Sequence, residues 1–376
     1  MKKQLSLILA LGFLLSGCST VDQQEVTTDT SAEDTMISAN EDTETEIPET
    51  ELDKTTTEEP TAITAGENQV VIGGQVYDTD TEELYLSAQN LTSDDADSLS
   101  QMTNLLSLEL NYFTNDNVEN ISKALSGIED FSEITLKLSE VGISDLSFLN
   151  DLPNLKSLII NFSGIKDYST LENIPTLETL AVRGSGIIDY TQFSGLTNIS
   201  ELDLGEGGAD DLSPLGGLTN LKKLYLDHST LGDLSPLSRL TSLEELDISY
   251  TNVEDISPLS NMTWLKAVYL DTTSVTDISS LGGLTELEKL NIDYDNADYI
   301  NTLNKLTGLK QLYITFTGTS DVLSLNSLTG LEDINMYYGP DVSEEDIETL
   351  RQALPNCQIN TEYLYWLKVE QEDVQL

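Results

Sequence analysis

Apolar positions recur along most of this chain at a fixed distance of 22 residues. In the stretch LTSLEELDISYTNVEDISPLSNM they lie at Leu243, Leu246, Ile248, Val253, Ile256 and Leu259. The first of these positions returns on both sides as Leu155, Leu177, Leu221, Leu265, Leu287, Leu309 and Leu331, with Ile199 in the remaining slot. So many copies in register indicate a tandem array of one structural unit.

Each unit is predicted to be one short strand followed by a return path. Leu246 and Ile248 alternate with Glu245, Asp247 and Ser249, which is typical of a strand with one buried and one open face. A single unit of this size cannot bury enough apolar surface to fold alone, so neighbouring units must stack around a shared core. Return paths often carry Ser-Pro-Leu, a helix-start signal, and leave too few residues for a long helix.

This period with an L-x-x-L-x-L core is the signature of a leucine-rich repeat. The predicted fold is a leucine-rich repeat solenoid, a right-handed β/3₁₀ horseshoe with a parallel sheet on its concave face and short turns or 3₁₀ segments on its convex face. The regular inward strand pairs are Leu158/Ile160, Leu180/Val182, Leu202/Leu204, Leu224/Leu226, Leu246/Ile248, Val268/Leu270, Leu290/Ile292, Leu312/Ile314 and Ile334/Met336. Three longer units precede them, with pairs at Leu84/Leu86, Leu108/Leu110 and Leu136/Leu138.

The repeat motif LT-x-L-x-x-L-x-L-x-x-T-x-V-x-DISPL, seen at Leu240–Leu259, resembles that of the bacterial internalin-type leucine-rich repeat class. The resemblance implies a concave face that binds partners. The usual inward Asn after the strand is replaced by Ser163, Ser185, Ser229, Thr251, Thr273, Asp295 and Thr317, or by Gly207 and Gly339. Hydroxyl groups at these positions can still bond to backbone groups. Since no immunoglobulin-like module or C-terminal sorting signal is evident, host-cell invasion is not expected.

The N-terminus has the pattern of a bacterial export signal. Lys2 and Lys3 precede an apolar run that ends at Leu15-Ser16-Gly17-Cys18. These four residues resemble the lipobox of bacterial lipoproteins, whose cysteine is lipidated, so Cys18 is the predicted lipid attachment site; the alternative is an ordinary secretory signal with an incidental cysteine. The Thr/Glu-rich stretch that follows is predicted to be a disordered tether, or a segment retained for solubility.

The domain prediction follows from these features. Residues 1–17 form a lipoprotein signal peptide, 18–66 the lipidated cysteine and tether, 67–101 an N-terminal cap with the first strand, 102–340 the repeats, and 341–376 a C-terminal cap helix, last strand and tail. The N-terminal cap contains a predicted hairpin at Gly73-Gly74. In the C-terminal cap, Ser343 and Asp346 predict a helix start, and Cys357 and Ile359 are predicted to be inward residues of the last strand.

Tyrosine and aspartate concentrate on the open side of the later strands. The chain has 15 Tyr, and many fall in the columns predicted to line the concave face. The predicted ligand-binding residues are Asp203, Tyr225, Asp227, Asp247, Tyr250, Tyr269, Asp271, Asp293, Tyr294, Tyr313, Phe316, Tyr337 and Tyr338. Such an aromatic and acidic patch suits a protein or glycan ligand, including a cationic one. The alternative is that Tyr is simply a good exposed strand residue.

Composition narrows the partners further. Lys+Arg 17 against Asp+Glu 66 gives a formal net charge of −49, which repels nucleic acids and anionic membranes. Membrane contact is expected only through the N-terminal lipid, and the chain is expected to be a monomer. Asp271 and Asp293 could share a calcium ion, but no Asp-x-Asp-x-Asp-Gly loop supports one, so no metal site and no cofactor are predicted.

Catalysis is not predicted either. His228 is the single histidine, no nucleophile motif accompanies it, and the sequence shows no dry pocket that would raise a carboxylate pKa. The functional prediction is a binding module, lipid-anchored on the extracytoplasmic side of the cell membrane, that recognises a protein or glycan through its concave face. The alternative is a structural spacer of the envelope without a selective ligand site.

Overall fold

The structure is a computed structural model that describes residues 65–139, 142–143, 146–161, 163–293, 299–316, 322–338 and 342–363. The predicted signal peptide, Cys18, nearly all of the predicted tether and the tail after Tyr363 lie outside the described residues. Tyr294 of the predicted ligand-binding set lies outside them too. The side chain of Phe316 is also outside the description, although its backbone belongs to a strand.

One long parallel sheet dominates the described part of the chain. Its 13 strands stand in sequence order, from β3 to β15. The strands are β3 (Glu83–Ser87), β4 (Ser107–Asn111), β5 (Thr135–Ser139), β6 (Ser157–Asn161), β7 (Thr179–Ala181), β8 (Glu201–Asp203), β9 (Lys223–Tyr225), β10 (Glu245–Asp247), β11 (Ala267–Tyr269), β12 (Lys289–Asp293), β13 (Gln311–Phe316), β14 (Asp333–Tyr338) and β15 (Gln358–Tyr363). A separate antiparallel hairpin of β1 (Gln69–Ile72) and β2 (Gln75–Asp78) precedes them.

The register of the sheet repeats the leucine period. Leu246 pairs with Leu224 on one side and with Val268 on the other, and all three side chains are fully buried. The equivalent inward residues of the other strands join one continuous core. Because each strand places the same sequence position beside its neighbour, the predicted leucine-rich repeat solenoid is confirmed.

The return paths are short 3₁₀ segments, as predicted. They span Ala88–Asn90, Ser93–Asp95, Ser147–Asp151, Ser169–Asn173, Thr191–Phe193, Ser213–Gly217, Ser235–Arg239, Ser257–Asn261, Ser279–Gly283 and Val322–Ser327. In many repeats an Asp lies two residues before the 3₁₀ segment begins, and its carboxylate accepts a hydrogen bond from the first backbone amide of that segment. In one such repeat, Asp255 Oδ1 accepts from Ser257 N at 2.7 Å. Short α-helices occur at α1 (Ala96–Leu99), α2 (Val118–Leu125), α3 (Tyr299–Leu303) and α4 (Glu344–Ala353).

Hydroxyl groups replace the inward asparagine of the repeat, as expected. Ser229 Oγ donates to Leu226 O at 2.6 Å, and Thr251 Oγ1 donates to Ile248 O at 2.7 Å. Both side chains are buried. Each hydroxyl therefore satisfies a strand-end carbonyl that the core would otherwise leave unpaired.

Both ends of the array differ from its middle. At the hairpin, Gly73 and Gly74 have φ of 56° and 77°, which L side chains rarely adopt, so the Gly-Gly pair is required there. At the other end, Ser343 Oγ accepts from Asp346 N while the Asp346 carboxylate bonds back to Ser343, which is the predicted capping box.

The predicted register of the last strand is wrong by two residues. Ile359 pairs with Ile334 and is buried, whereas Cys357 lies before β15 and is only partly buried against the core. The α4 helix lengthens this final unit relative to the regular repeat, so the inward position moves from Cys357 to Ile359. Burial and the nearby charge of Asp333 raise the pKa of the Cys357 thiol to about 11.

Candidate functional site

Two columns of side chains on the open face of the sheet form the candidate site. The first column consists of Asp203, Tyr225, Asp247, Tyr269, Asn291, Tyr313 and Asn335, paired strand to strand. The second column lies two residues further along and consists of Arg183, Gly205, Asp227, Ser249, Asp271, Asp293, Thr315 and Tyr337. Backbone bonds such as Leu226 N to Asp247 O, 2.8 Å, continue the ladder toward the second column.

The residue after the second column turns out of the sheet. Glu206, His228, Tyr250 and Thr272 all have positive φ between 53° and 59°, a left-handed conformation that is uncommon for these residue types. The turn keeps the Tyr250 side chain exposed.

Tyr338 was predicted to lie on the same face, and that prediction is wrong. It is 8% exposed and packs in the core. The reason is that β14 stays extended through Asp333–Tyr338. Strict alternation therefore points Tyr338 inward with Ile334 and Met336.

Arg183 binds two aspartates from the following repeats. Its Nη1 lies 3.0 Å from Asp203 Oδ1, and its Nη1 and Nη2 donate to Asp227 Oδ1 and Oδ2 at 2.9 and 2.7 Å. Glu206 lies 3.6 Å from Nη2 at the rim. A Cβ at Gly205 would stand 2.4 Å from Nη1, so the missing side chain there is what lets the arginine lie flat across the sheet.

The two carboxylates respond differently to Arg183. Burial alone would raise the pKa of Asp227, but the two hydrogen bonds and the charge of Arg183, with His228, hold that pKa below its ordinary value. Asp203 receives only one guanidinium nitrogen, so burial prevails and raises its pKa to about 6. Together the three side chains form an ion cluster in which both aspartates are buried and 28% of the Arg183 side chain is exposed.

His228 extends this cluster toward the surface. Its Nδ1 lies 3.0 Å from Asp227 Oδ2, and its ring stacks on Tyr250 with centroids 4.2 Å apart and planes 11° from parallel. Both rings are partly exposed. The stack therefore holds the Tyr250 ring in a fixed position beside the second column.

Asp247 is buried without a cation. Only 3% of the residue is exposed, because Tyr225 and Tyr269 stand on either side of it in the first column. Burial, followed by the charges of Asp227 and Asp271, raises the pKa of Asp247 to about 7. Burial likewise raises the pKa of Asp271, which accepts a hydrogen bond from Asn291 at 2.7 Å.

The tyrosines are electrostatically linked across the face. Burial and the charge of Glu245 raise the pKa values of Tyr225 and Tyr269, and Tyr269 is influenced in turn by Tyr313. Burial also raises the pKa values of Tyr313 and Tyr250, with a contribution from Tyr337 in each case. These phenols remain protonated at neutral pH and can donate hydrogen bonds to a ligand.

The sequence predicts an acidic and aromatic patch on the open face, and for three of the acids the prediction of an open position is wrong. Asp203, Asp227 and Asp247 are each no more than 3% exposed. The sequence also did not predict that burial raises the pKa of Asp247. Tyr250 and Tyr337 are exposed, and Asp293 accepts a hydrogen bond from Thr272 N at 2.6 Å.

The sequence places Arg183 at the start of the second column, but Arg183 was not among the predicted ligand-binding residues. Its partners lie 20 and 44 residues away, a reach that periodicity alone does not reveal. The sequence signal for this ion cluster is the order of the second column, in which Arg183, Gly205 and Asp227 occupy the same position on successive repeats.

No group of three or more His, Cys, Asp or Glu side chains among the described residues is arranged to hold a metal ion. Over the same residues, no helix has the length and apolar character needed to cross a membrane.

Comparison with solved structures finds leucine-rich repeat proteins. Internalin InlF from Listeria monocytogenes is 25% identical, with a TM-score of 0.53 and coverage of 77% of this chain and 85% of that chain. Internalin C2 from the same organism is 24% identical, covers 53% and 91%, and has a TM-score of 0.44. A leucine-rich repeat protein from Leptospira interrogans is 18% identical, covers 70% and 74%, and has a TM-score of 0.47. No family model matches the chain, and no curated protein sequence matches it.

Proposed function

We propose that this chain is a protein-binding module whose concave face, from β9 to β14, selects the partner. The observation that carries the proposal is Asp247, a buried carboxylate with no cationic partner among the described residues, set between two tyrosine rings. Burying a carboxylate without a cation costs stability, and such perturbed groups cluster at functional sites. The leucine-rich repeat fold and its similarity to internalin InlF support the same function.

The exposed part of the surface has the chemistry of a binding face. Tyr250 and Tyr337 are exposed and lie near partly buried carboxylates, so they offer large rigid rings with hydrogen-bonding ends. A protein partner that presents cationic groups would match both features. Net repulsion by the charge of −49 argues against nucleic acid as that partner.

The exposed tyrosines provide the direct test. Capture of envelope and host-surface proteins by the full chain is expected to fall at least about tenfold when Tyr250 and Tyr337 are both replaced with alanine, since interface tyrosines are often hot spots. The matched control is Tyr85→Ala with Tyr112→Ala, two exposed tyrosines of the first repeats. Quantitative mass spectrometry of the captured proteins compares the three chains.

The outcome separates the two functions considered for this chain. A partner lost with the Tyr250/Tyr337 variant and kept by the Tyr85/Tyr112 variant supports a selective concave face. Equal capture by all three chains, or none by any, contradicts the proposal and favours a structural spacer. A captured glycan in place of a protein would contradict the partner class.

We further propose that the module is lipid-anchored through Cys18 on the extracytoplasmic side of the cell membrane. The basic start, the apolar run and the Leu15–Cys18 sequence support it. Cys18→Ala is expected to move the protein from the membrane fraction to the soluble fraction, as measured by fractionation and immunoblotting. Continued membrane retention of the variant would rule out the lipid anchor.

A further inference from the structure

The acidic groups of the concave face occur as two copies of one arrangement, 44 residues apart. The first copy is Asp203, Gly205 and Asp227, and the second is Asp247, Ser249 and Asp271. Since the separation is two repeats, each residue of one copy occupies the same sheet position as its counterpart in the other.

The backbone of the two copies is the same in detail. Asp203 Oδ1 accepts from Gly205 N at 3.0 Å, and Asp247 Oδ1 accepts from Ser249 N at 2.9 Å. Glu206 N donates to Asp227 O at 2.8 Å, and Tyr250 N donates to Asp271 O at 3.0 Å. Glu206 and Tyr250 have φ of 59° and 56°. The first carboxylate of each copy is therefore held in the same way. The second acids share the same backbone position but differ in side-chain partner, since Asp227 bonds to Arg183 and Asp271 Oδ1 accepts from Asn291 Nδ2 at 2.7 Å.

The copies differ in one group. Arg183 bridges Asp203 and Asp227, but its counterpart 44 residues later is Asp227 itself, which cannot bridge anything acidic. Among the described residues no Lys or Arg forms an ion pair with Asp247 or Asp271. The second copy is thus the cation-binding arrangement of the first copy without its cation.

A second observation points to a ligand at this place. The Ser249 hydroxyl is close enough to Asp247 and Asp271 to oppose the rise in the pKa of each. It is 1% exposed, and its geometry completes no hydrogen bond with either carboxylate or with another described residue. A buried hydroxyl without a partner is costly. It can accept a hydrogen bond from a donor that enters between the two carboxylates.

We propose that the second copy, Asp247, Ser249 and Asp271, binds an arginine side chain of the protein partner, in the role that Arg183 has in the first copy. The inference rests on the proposed function and specifies the partner chemistry. The planar guanidinium can bond to both carboxylates at once, as the Arg183 guanidinium does, which a lysine ammonium matches less well.

The entry route differs between the copies for a steric reason. Arg183 crosses the sheet over Gly205, where a Cβ would stand 2.4 Å from its Nη1. Ser249 has that Cβ, so a side chain cannot lie flat across the second copy, but a guanidinium that arrives from solvent can reach the partly exposed Asp271 first. Tyr250, in the place of Glu206, offers an electron-rich ring at the rim.

The test uses the blocked peptide Ac-Gly-Arg-Gly-NH2 as the probe, with Ac-Gly-Cit-Gly-NH2, the neutral citrulline isostere, as its control. Isothermal titration calorimetry with the full chain is expected to show about one equivalent of the arginine peptide bound, and at least about tenfold weaker binding of the citrulline peptide. Asp247→Asn with Asp271→Asn is expected to weaken arginine-peptide binding by about tenfold or more. Asp210→Asn with Glu254→Gln, which makes the same charge change at two exposed acids, is expected to leave binding unchanged.

Arg183→Ala provides a gain-of-site arm. Vacating the first copy should raise the number of bound arginine peptides from about one to about two, since both copies would then lack an internal cation. If this variant does not fold, the Asp247/Asp271 variant still decides the proposal.

Equal binding of the two peptides, or equal loss of binding in the two acid variants, would overturn the inference. Such a failure together with tyrosine-dependent capture would leave the proposed function standing and remove only the arginine site. Peptide binding without tyrosine-dependent capture would instead confirm the cation site and contradict the proposed function.

Discussion

Arg183→Met is expected to lower the free energy of unfolding by about 3–5 kcal/mol, the cost of removing one partner from a buried ion pair. The methionine retains most of the apolar stem but leaves Asp203 and Asp227 without their guanidinium. Both aspartates are no more than 3% exposed, so water cannot replace the lost donors. Urea denaturation followed by circular dichroism measures the effect.

An exposed ion pair provides the control for this prediction. Lys266 lies 2.6 Å from Glu244, but both side chains are substantially exposed, so Lys266→Met should lower the free energy of unfolding far less than Arg183→Met does. Adding Asp203→Asn and Asp227→Asn to Arg183→Met should recover much of the lost stability, because no buried charge then remains unpaired. A cost for Arg183→Met no larger than that for Lys266→Met would show that the cluster is not buried as described.

Asp247→Asn is expected to become more stabilising, relative to the native chain, as the pH rises from about 4 to about 8. Burial and two neighbouring carboxylates raise the pKa of Asp247 from 3.8 to about 7 in the folded state. Between these values the folded chain retains a proton that the unfolded chain has released, so the native protein loses stability as the pH rises through this window. Asparagine does not titrate, and at about 1.4 kcal/mol per pH unit the difference should reach roughly 3–4 kcal/mol.

An exposed aspartate should show the opposite sign. The backbone amide and hydroxyl of Ser279 lower the pKa of Asp277, so Asp277 stabilises the fold above its ordinary pKa and that contribution disappears as the pH falls. Asp277→Asn should therefore be less stable than the native chain at neutral pH and approach it in acid. Urea midpoints compare the three chains, between about pH 4 and pH 8 for Asp247→Asn and from about pH 5 downward for Asp277→Asn. A pH-independent effect of Asp247→Asn would contradict the burial of that carboxylate.

The repeat architecture could be predicted from sequence because one period determines many contacts. Leu246 and its counterparts fall in register wherever the 22-residue spacing holds. The prediction failed where local structure changed the count, as at Cys357, where the α4 helix shifted the last strand. It also failed at Tyr338, because the strand continued where the earlier repeats turn outward.

The sequence predicts which residues lie on the open face, but it does not predict which of their carboxylates are buried. The column positions of Tyr225, Asp247 and Tyr269 follow from strand pairing. Burial of the Asp247 carboxylate does not follow from pairing, because it depends on the neighbouring rings. Burial of Asp203 and Asp227 depends on the path of Arg183 across Gly205. The Arg183 side chain is long enough to reach the next two strands. The 22-residue periodicity does not reveal a contact of that length.

The measurement that tests the central claim most directly is site-specific photo-crosslinking on the concave face. A benzophenone amino acid placed at Tyr337 should give a covalent adduct with a protein partner, and the same amino acid at Ile188, which is 81% exposed outside the sheet, should not. A partner crosslinked only from Tyr337 would establish the concave face as the binding surface. Equal adducts from both positions, or none from Tyr337, would contradict it.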